Sequence, residues 1–284
     1  MPIAQIRGAS INYEILGERG PWVALNPGGR RAMEAVRPLA QMMVAAGYRV
    51  LIHDRRNCGA SDVMFEGDDS EYGVWVDDLH ELLKMNDALP AAVGGFSSGC
   101  RQSLLFALRY PKDVWALLLW RVTGGPFAAE HLADLYYGQF MRAAEQGGMK
   151  AVCEMEHFRE LIAANPTNRD RLMAMDPKKF IAVMKIWSQY FLDDADLPVI
   201  GASEDQLRSI KVPTAIIPGD DRVHPRQVGY RVQTLIAGSE LHDFMKPDLD
   251  VDVGDIQEWY KKYDQFAAVF VALMNRAQAK LMKN

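Results

Sequence analysis

The chain has 284 residues, 49% of them hydrophobic, which favours one large domain, or one domain with an insertion, around a sizeable core. A net charge of −5 offers no basic surface for phosphates, so we do not expect a nucleic acid partner. Three widely separated cysteines, no signal-peptide pattern and no apolar run of about 20 residues argue against disulfides, secretion and a membrane span, and they predict a cytoplasmic protein.

The first part of the chain alternates predicted strands and helices. Residues 3–7 and 9–16 alternate apolar and polar side chains and predict an antiparallel hairpin. The elements predicted next are a strand ending in Pro-Gly-Gly, a helix over 30–49, a strand over 48–54, a helix over 74–89, a strand over 90–96, a helix over 99–110 and a strand over 114–122. This rhythm predicts an α/β fold: a mostly parallel central sheet with helices on both faces and ligands beyond the carboxyl ends of its strands.

Residues 124–209 break this rhythm with helical patterns rich in Met, Phe, Tyr and Trp. An all-helical block between two sheet strands is typical of an inserted lid. We therefore predict a helical cap at 124–209 and a core domain formed by residues 1–123 and 210–284; the alternative is that these helices simply cover one sheet face. After the cap, the pattern predicts a strand at VPTAIIPGDD, a helix over 225–237, a strand at SELHDFM and a terminal helix over 255–282.

The stretch GFSSG, residues 95–99, fits G-x-S-x-G, in which a serine occupies a sharp strand-to-helix turn. Glycines are needed on both sides because a side chain would collide with the neighbouring backbone. Ser97 is therefore a candidate nucleophile, with an ordinary tight turn as the alternative. Ser98 is a weaker candidate, because the motif would then need glycines where this chain has Phe96 and Cys100.

Four motifs in this order resemble the α/β-hydrolase family, in particular its lid-bearing serine hydrolases, along nearly the whole chain. They are LNPGG after the third strand, HDRRNCGASD after the fourth, GFSSG, and PGDDRVHP after the strand that follows the cap. HDRRNCGASD is similar to the family's Asp-x-Arg-Gly-x-Gly-x-Ser segment, with Asn57 where a glycine is common. The resemblance implies the α/β-hydrolase fold, a serine nucleophile and no cofactor.

The resemblance also assigns the groups around the nucleophile. It places the oxyanion hole at the backbone amide of Ser98 and at the Pro-Gly-Gly corner, where Gly28 aligns with the donor residue and Gly29 is its neighbour. Asp221 keeps the family spacing to Pro225, so we prefer it to Asp220 as the acid that orients the catalytic histidine.

The catalytic base is where this chain departs from the family. The family's histidine normally follows the last strand, where this chain reads KPDLDVDVGDIQEW. Three alternatives stay open: His224, three residues after Asp221; His242, if the last strand ends early; or no histidine base and a different chemistry. A metal site formed by Asp220, His224 and His242 is not expected, because no helix carries two ligands at His-x-x-x-His spacing.

Three side chains are candidates for substrate binding. Arg30 lies beside the Pro-Gly-Gly corner, and Arg121 ends the strand that follows the helix after GFSSG; either could bind a substrate carboxylate as a fork, with solvated surface charge as the alternative. Trp187 and other cap side chains facing the serine would form an apolar pocket.

The predicted function is hydrolysis of a small, mostly apolar ester, lactone or acyl-ketone. The alternative is a non-hydrolytic member of the family: a cofactor-free lyase, an oxygenase-like enzyme or a small-molecule binder. We expect a small-molecule substrate as the partner, and the exposed edge strands are compatible with a homodimer.

Overall fold

The computed structural model describes residues 2–66, 69–245 and 248–281. Within these ranges, eight strands form one sheet: β1 Ile3–Ile6, β2 Ala9–Leu16, β3 Trp22–Asn26, β4 Arg49–His53, β5 Ala91–Phe96, β6 Val114–Trp120, β7 Thr214–Ile217 and β8 Glu240–Leu241. Their spatial order is β1-β2-β4-β3-β5-β6-β7-β8. β1 and β4 run antiparallel to β2, and the other neighbouring pairs are parallel. The predicted hairpin and mostly parallel sheet are confirmed.

The described helices are α1 Arg37–Ala45, α2 Glu71–Met85, α3 Ser98–Arg109, α4 Pro126–Ala133, α5 Gln139–Glu154, α6 Glu156–Ala164, α7 Thr167–Met173, α8 Pro177–Asp193, α9 Glu204–Ser209, α10 Arg226–Leu235, α11 Ile256–Tyr260 and α12 Tyr263–Leu281. A short 3-10 helix, Met33–Val36, precedes α1, and a π-helical segment, Asp134–Gly138, joins α4 to α5. None of these helices is both long and apolar enough to cross a membrane.

Both faces of the sheet are covered by helices. Successive side chains of a strand point to opposite faces. In β6, Leu117 and Leu119 accordingly join the core beneath α2, α3 and α10, whereas Leu118 and Trp120 join the core beneath α1 and α12. This two-sided burial explains why the central strands are apolar throughout rather than alternating.

Several predicted boundaries shift by a few residues, and three predicted elements differ more clearly. The helix predicted over 30–49 starts as a 3-10 helix, and Pro38 lies in the first turn of α1, where its missing N–H costs no hydrogen bond. The strand predicted at SELHDFM is only the two residues of β8. The predicted terminal helix is divided into α11 and α12, and its last predicted residue, Met282, lies outside the described residues.

Residues 124–209, which we call the cap, are mainly helical, with one isolated bridge between Val199 and Ala202. Their buried side chains form a third apolar cluster with Phe65 of the loop after β4, Trp75 of α2 and Val223 of the loop after β7. The cap therefore packs on loops at the carboxyl ends of the strands. Its division from the core domain at residues 124 and 209 stays a prediction.

Candidate active site

Ser97 occupies the turn between β5 and α3. Its φ is 53° and its ψ is −117°, a left-handed conformation that a non-glycine residue adopts at a cost of about 1–3 kcal/mol. Its amide donates to the carbonyl oxygens of Trp120, at 3.2 Å, and Arg121, at 3.1 Å. These contacts with the end of β6 hold the strained turn in place.

The two motif glycines allow the turn to pack against the chain that follows β3. A Cβ on Gly95 would lie 2.5 Å from the carbonyl carbon of Gly99 and 2.6 Å from the carbonyl oxygen of Asn26. A Cβ on Gly99 would overlap the carbonyl oxygens of Asn26 and Pro27. Neither position therefore has room for a side chain, as G-x-S-x-G requires.

A histidine and a carboxylate stand in line with Ser97. Nε2 of His224 lies 2.8 Å from Oγ of Ser97, and Nδ1 lies 2.7 Å from Oδ1 of Asp221. The backbone amide of His224 donates to the same Oδ1 at 2.8 Å. All three side chains are buried. This is the geometry in which a histidine can take a serine proton while a carboxylate fixes its tautomer.

The other carboxylate oxygen of Asp221 is also hydrogen-bonded. Oδ2 accepts from Nη2 of Arg121 at 2.6 Å and from the amide of Gly254 at 2.8 Å. Burial alone would raise the pKa of Asp221, but the hydrogen bonds from His224 and from the amide of Gly254 and the charge of Arg121 hold it well below its usual range. The carboxylate is therefore ionised at neutral pH.

Burial lowers the pKa of His224, and the hydrogen bond to Asp221 only partly opposes this effect. A lowered pKa keeps the imidazole neutral at neutral pH, with Nε2 free to accept a proton. The same two features of the site, an ionised Asp221 and a neutral His224, are those that general-base catalysis requires.

The other histidine candidate, His242, follows β8 directly. Its amide donates to the carbonyl of Ile216 at 2.8 Å, its Nε2 lies 3.3 Å from Oε2 of Glu240, and its ring stacks on Phe244. These contacts hold it at the edge strand of the sheet, and none of them reaches Ser97.

The two candidate arginines are already paired with carboxylates. The side chain of Arg30 is 7% exposed and makes a bidentate ion pair with Glu71, at 2.9 and 2.7 Å. Arg121 is buried against Asp221. Trp187 donates from Nε1 to the carbonyl of Asp69 and lines a separate cavity of about 390 Å³. These contacts give all three side chains structural partners, and a role in substrate binding stays a prediction.

Ser97 and His224 open into a cavity of about 970 Å³. Its apolar wall comes from both parts of the chain and includes Phe96, Leu132, Phe140, Leu161 and Val223. A volume of this order is at the upper end for small-molecule sites. The cavity therefore places the Ser97 hydroxyl and the His224 imidazole beside a chamber lined by apolar side chains and by charged ones such as Arg31, Glu34 and Glu160.

The candidate oxyanion residues lie beside this cavity. Gly29, with φ of 52°, lines it, whereas the Cα of Gly28 packs so closely on the ring of Phe96 that a Cβ would overlap it. Ser98 is the first residue of α3, where backbone amides lack partners within the helix. Its hydroxyl accepts a hydrogen bond from Tyr72 at 2.8 Å.

Among the cap residues that line this cavity with Ser97 are His157 and Tyr136, and neither was a site candidate in the sequence analysis. A run of aromatic residues carries no signal that separates a cavity wall from the core. The one local feature that marks Tyr136 is its π-helical backbone, which is visible only in the structure.

No protein-family model matches the chain. A curated relative, the 2-hydroxy-6-oxononadienedioate/2-hydroxy-6-oxononatrienedioate hydrolase of Escherichia coli (strain K12), is 27% identical over 230 residues, which cover 76% of this chain and 73% of that protein.

Solved structures resemble the whole chain at low identity. The enol-lactonase from Burkholderia xenovorans LB400 has a TM-score of 0.64 and 18% identity, covering 96% of this chain and 100% of that one. The meta-cleavage product hydrolase from Pseudomonas fluorescens IP01 has a TM-score of 0.67 and 19% identity, covering 98% of both. An esterase from Exiguobacterium antarcticum has a TM-score of 0.63 and 20% identity, covering 95% of this chain and 98% of that one.

Proposed function

We propose, on the premise that this chain has the α/β-hydrolase fold, that it is a serine hydrolase acting on an ester, a lactone or an acyl-ketone with Ser97 as its nucleophile. The observation that carries the proposal is the line of short contacts from Ser97 Oγ to His224 Nε2, at 2.8 Å, and from His224 Nδ1 to Asp221 Oδ1, at 2.7 Å. A buried serine, histidine and carboxylate in this order are the parts that activate a hydroxyl for attack on a carbonyl.

In the proposed reaction, His224 accepts the Ser97 proton as Oγ attacks the substrate carbonyl carbon. Asp221 keeps Nδ1 protonated and stabilises the imidazolium, and backbone amides of Ser98 and of the Gly28-Gly29 corner stabilise the oxyanion. Collapse of the tetrahedral intermediate breaks the bond to the leaving group, which takes the proton from His224. Water, deprotonated by His224, then hydrolyses the acyl-enzyme.

The names of similar proteins support this range of substrates. An enol-lactonase and an esterase cleave carbon–oxygen bonds, and the leaving group is then an oxygen atom that His224 protonates. The meta-cleavage product hydrolase and the curated relative support the acyl-ketone alternative. In that case the leaving group is a carbon atom, and its charge must be delocalised as an enolate before it is protonated.

The non-hydrolytic alternative was motivated by the missing histidine after the last strand. The contact between His224 and Ser97 supplies a base from another position, so it favours hydrolysis. No contact in the described residues favours a lyase or a binding protein instead.

The test uses a fluorophosphonate probe, which labels activated serines, and a short-chain p-nitrophenyl ester. Ser97→Ala should abolish both labelling and turnover. His224→Ala should lower kcat by about 10⁶-fold, the order lost when a triad histidine is removed. The matched control is His242→Ala, which should stay near the wild-type rate.

Circular dichroism would verify that each variant folds. An unlabelled wild-type protein would favour the non-hydrolytic alternative. Loss of activity in His242→Ala but not in His224→Ala would contradict the assignment of the base.

A further inference from the structure

The cap contributes one hydroxyl to the cavity of Ser97. Tyr136 belongs to the π-helical segment Asp134–Gly138, is 7% exposed and lines the cavity. Consecutive side chains diverge by about 100° around an α-helix. Here the neighbouring Tyr136 and Tyr137 are both buried, and their hydroxyls reach Ser98 and Glu71 respectively. Single π-turns of this kind are frequent at functional sites.

The hydrogen bonds around Ser98 determine where the Tyr136 proton can point. The Tyr72 hydroxyl donates to Oγ of Ser98 at 2.8 Å, and Oγ of Ser98 lies 3.3 Å from the Tyr136 hydroxyl oxygen. Within the described residues, Tyr136 is the one acceptor in reach of the Ser98 proton. When Ser98 donates to Tyr136, the Tyr136 proton has no acceptor among the described residues and is available to the cavity.

This hydroxyl lies beside both segments of the candidate oxyanion hole. It contacts the side-chain Oγ of Ser98, and a Cβ built on Gly29 would lie 3.6 Å from it. It is therefore a neighbour of the two segments whose backbone amides are expected to donate to the substrate oxygen. Burial raises the pKa of Tyr136 to about 12, so the hydroxyl keeps its proton at neutral pH.

Arg30 fixes the main chain and the ring of Tyr136. Nη2 of Arg30 donates to the carbonyl oxygen of Tyr136 at 3.3 Å, and its guanidinium carbon lies 5.3 Å from the centre of the ring. Because Arg30 is itself held by Glu71, the tyrosine is positioned before substrate binds. A donor positioned in advance stabilises developing charge without reorganisation.

We propose that the hydroxyl of Tyr136 is a third donor to the oxyanion, beside the backbone amides of Ser98 and of the Gly28-Gly29 corner. The proposal rests on the proposed function, since it requires a tetrahedral intermediate on Ser97. The hydroxyl donates a hydrogen bond and keeps its proton throughout, so no group is transferred. Tyr136 is in this sense a catalytic residue supplied by the cap.

Tyr136→Phe removes only the hydroxyl and is the primary test. Loss of one oxyanion donor lowers kcat by about 10²-fold, with KM close to the wild-type value because the bond strengthens in the transition state. The matched control is Tyr137→Phe, the adjacent tyrosine, whose hydroxyl binds Glu71 and does not line this cavity. It should lower the melting temperature but retain kcat to within a few-fold.

A trifluoromethyl ketone and its methyl ketone counterpart separate catalysis from packing. The trifluoromethyl ketone forms a tetrahedral adduct with an activated serine and so carries an oxyanion, whereas the methyl ketone binds as a planar carbonyl. Tyr136→Phe should weaken the inhibition constant of the trifluoromethyl ketone by the same factor as kcat and leave that of the methyl ketone unchanged. Unchanged kcat, or equal loss for both ketones, would overturn the role of Tyr136.

A third experiment retains both the Tyr136 hydroxyl and the packing of its ring. Replacing Tyr136 with 3,5-difluorotyrosine lowers the phenol pKa, and an ionised phenolate cannot donate. In the plot of kcat against pH, the decrease at alkaline pH should therefore begin at a lower pH than in the wild type. A decrease at the same pH would contradict the proposal, and this test applies even if Tyr136→Phe does not fold. A wild-type protein that forms no adduct with the trifluoromethyl ketone would instead refute the serine chemistry itself.

Discussion

Arg121 and His224 bind opposite oxygens of one carboxylate. Nη2 of Arg121 lies 2.6 Å from Oδ2 of Asp221, and Nδ1 of His224 lies 2.7 Å from Oδ1. The charge of Arg121 opposes protonation of His224, in addition to the larger effect of burial. Arg121→Gln should therefore raise the pKa of His224. Because the base must be neutral, the acid limb of kcat/KM should move to higher pH.

The size of the shift follows from the two contacts. With the carboxylate between them, the guanidinium and the imidazole are about 7 Å apart, which gives roughly 2.4 kcal/mol of repulsion at an effective dielectric constant near 20. At about 1.36 kcal/mol per pKa unit this corresponds to somewhat less than 2 units. Rearrangement of Asp221 and entry of water reduce it, so we expect a shift of about 1 unit.

The assay is kcat/KM for a p-nitrophenyl ester as a function of pH, with the melting temperature of each variant. Arg121→Lys keeps the charge and should restore the wild-type limb. Arg222→Gln is the matched control, because Arg222 is half exposed and pairs with Asp252 at the surface. If folded Arg121→Gln shows no shift, or a shift to lower pH, the account of the electrostatics around His224 is refuted.

Two further predictions concern stability. His53 is buried with both ring nitrogens unpaired among the described residues, and burial, aided by the charge of Arg55, lowers its pKa to about 3. As pH falls, the unfolded chain protonates His53 near pH 6.5 and the folded chain only near pH 3, so the free energy of unfolding decreases between these values. In His53→Leu, the decrease in the free energy of unfolding between pH 7 and pH 4, measured by urea unfolding, should be smaller by about 3 kcal/mol. The same pH dependence in the variant and the wild type would contradict this. Gly99→Ala should lower the melting temperature and kcat together, because the new Cβ would overlap the carbonyl oxygens of Asn26 and Pro27. Wild-type values for both would show that the turn at residues 95–99 is not tightly packed.

Local signals in the sequence were sufficient for the sheet and the elbow. Strand periodicity and apolar runs are signals carried by residues close together in the sequence. The strands and the helices that alternate with them could therefore be predicted from the pattern. The glycines of GFSSG likewise predicted the sharp turn at Ser97, because only residues without a Cβ fit against the backbone of Asn26. The strand predicted at SELHDFM was too long: His242 still donates its amide to Ile216 of β7, but Phe244 and Met245 beyond it pack on the core beneath α12.

The partners of the charged side chains could not be predicted in the same way. The contact between Ser97 and His224 joins residues 127 positions apart, and the spacing Asp221-x-x-His224 carries no signal of its own. Arg30 was a candidate for substrate binding because the sequence did not reveal its ion pair with Glu71, which lies 41 residues away in α2. A sequence gives the charge of a side chain but not the carboxylate that neutralises it.

In the proposed triad the base is His224, which precedes the last strand, whereas His242, which directly follows that strand, contacts Glu240 instead of Ser97. Oδ1 of Asp221 accepts both the amide and the ring Nδ1–H of His224, so one carboxylate oxygen fixes the turn and the imidazole together. The segment that normally carries the histidine supplies the amide of Gly254 to Oδ2 instead. In the proposed triad that segment therefore orients the acid, Asp221, rather than providing the base. His224 can accept the Ser97 proton although the segment itself contains no histidine.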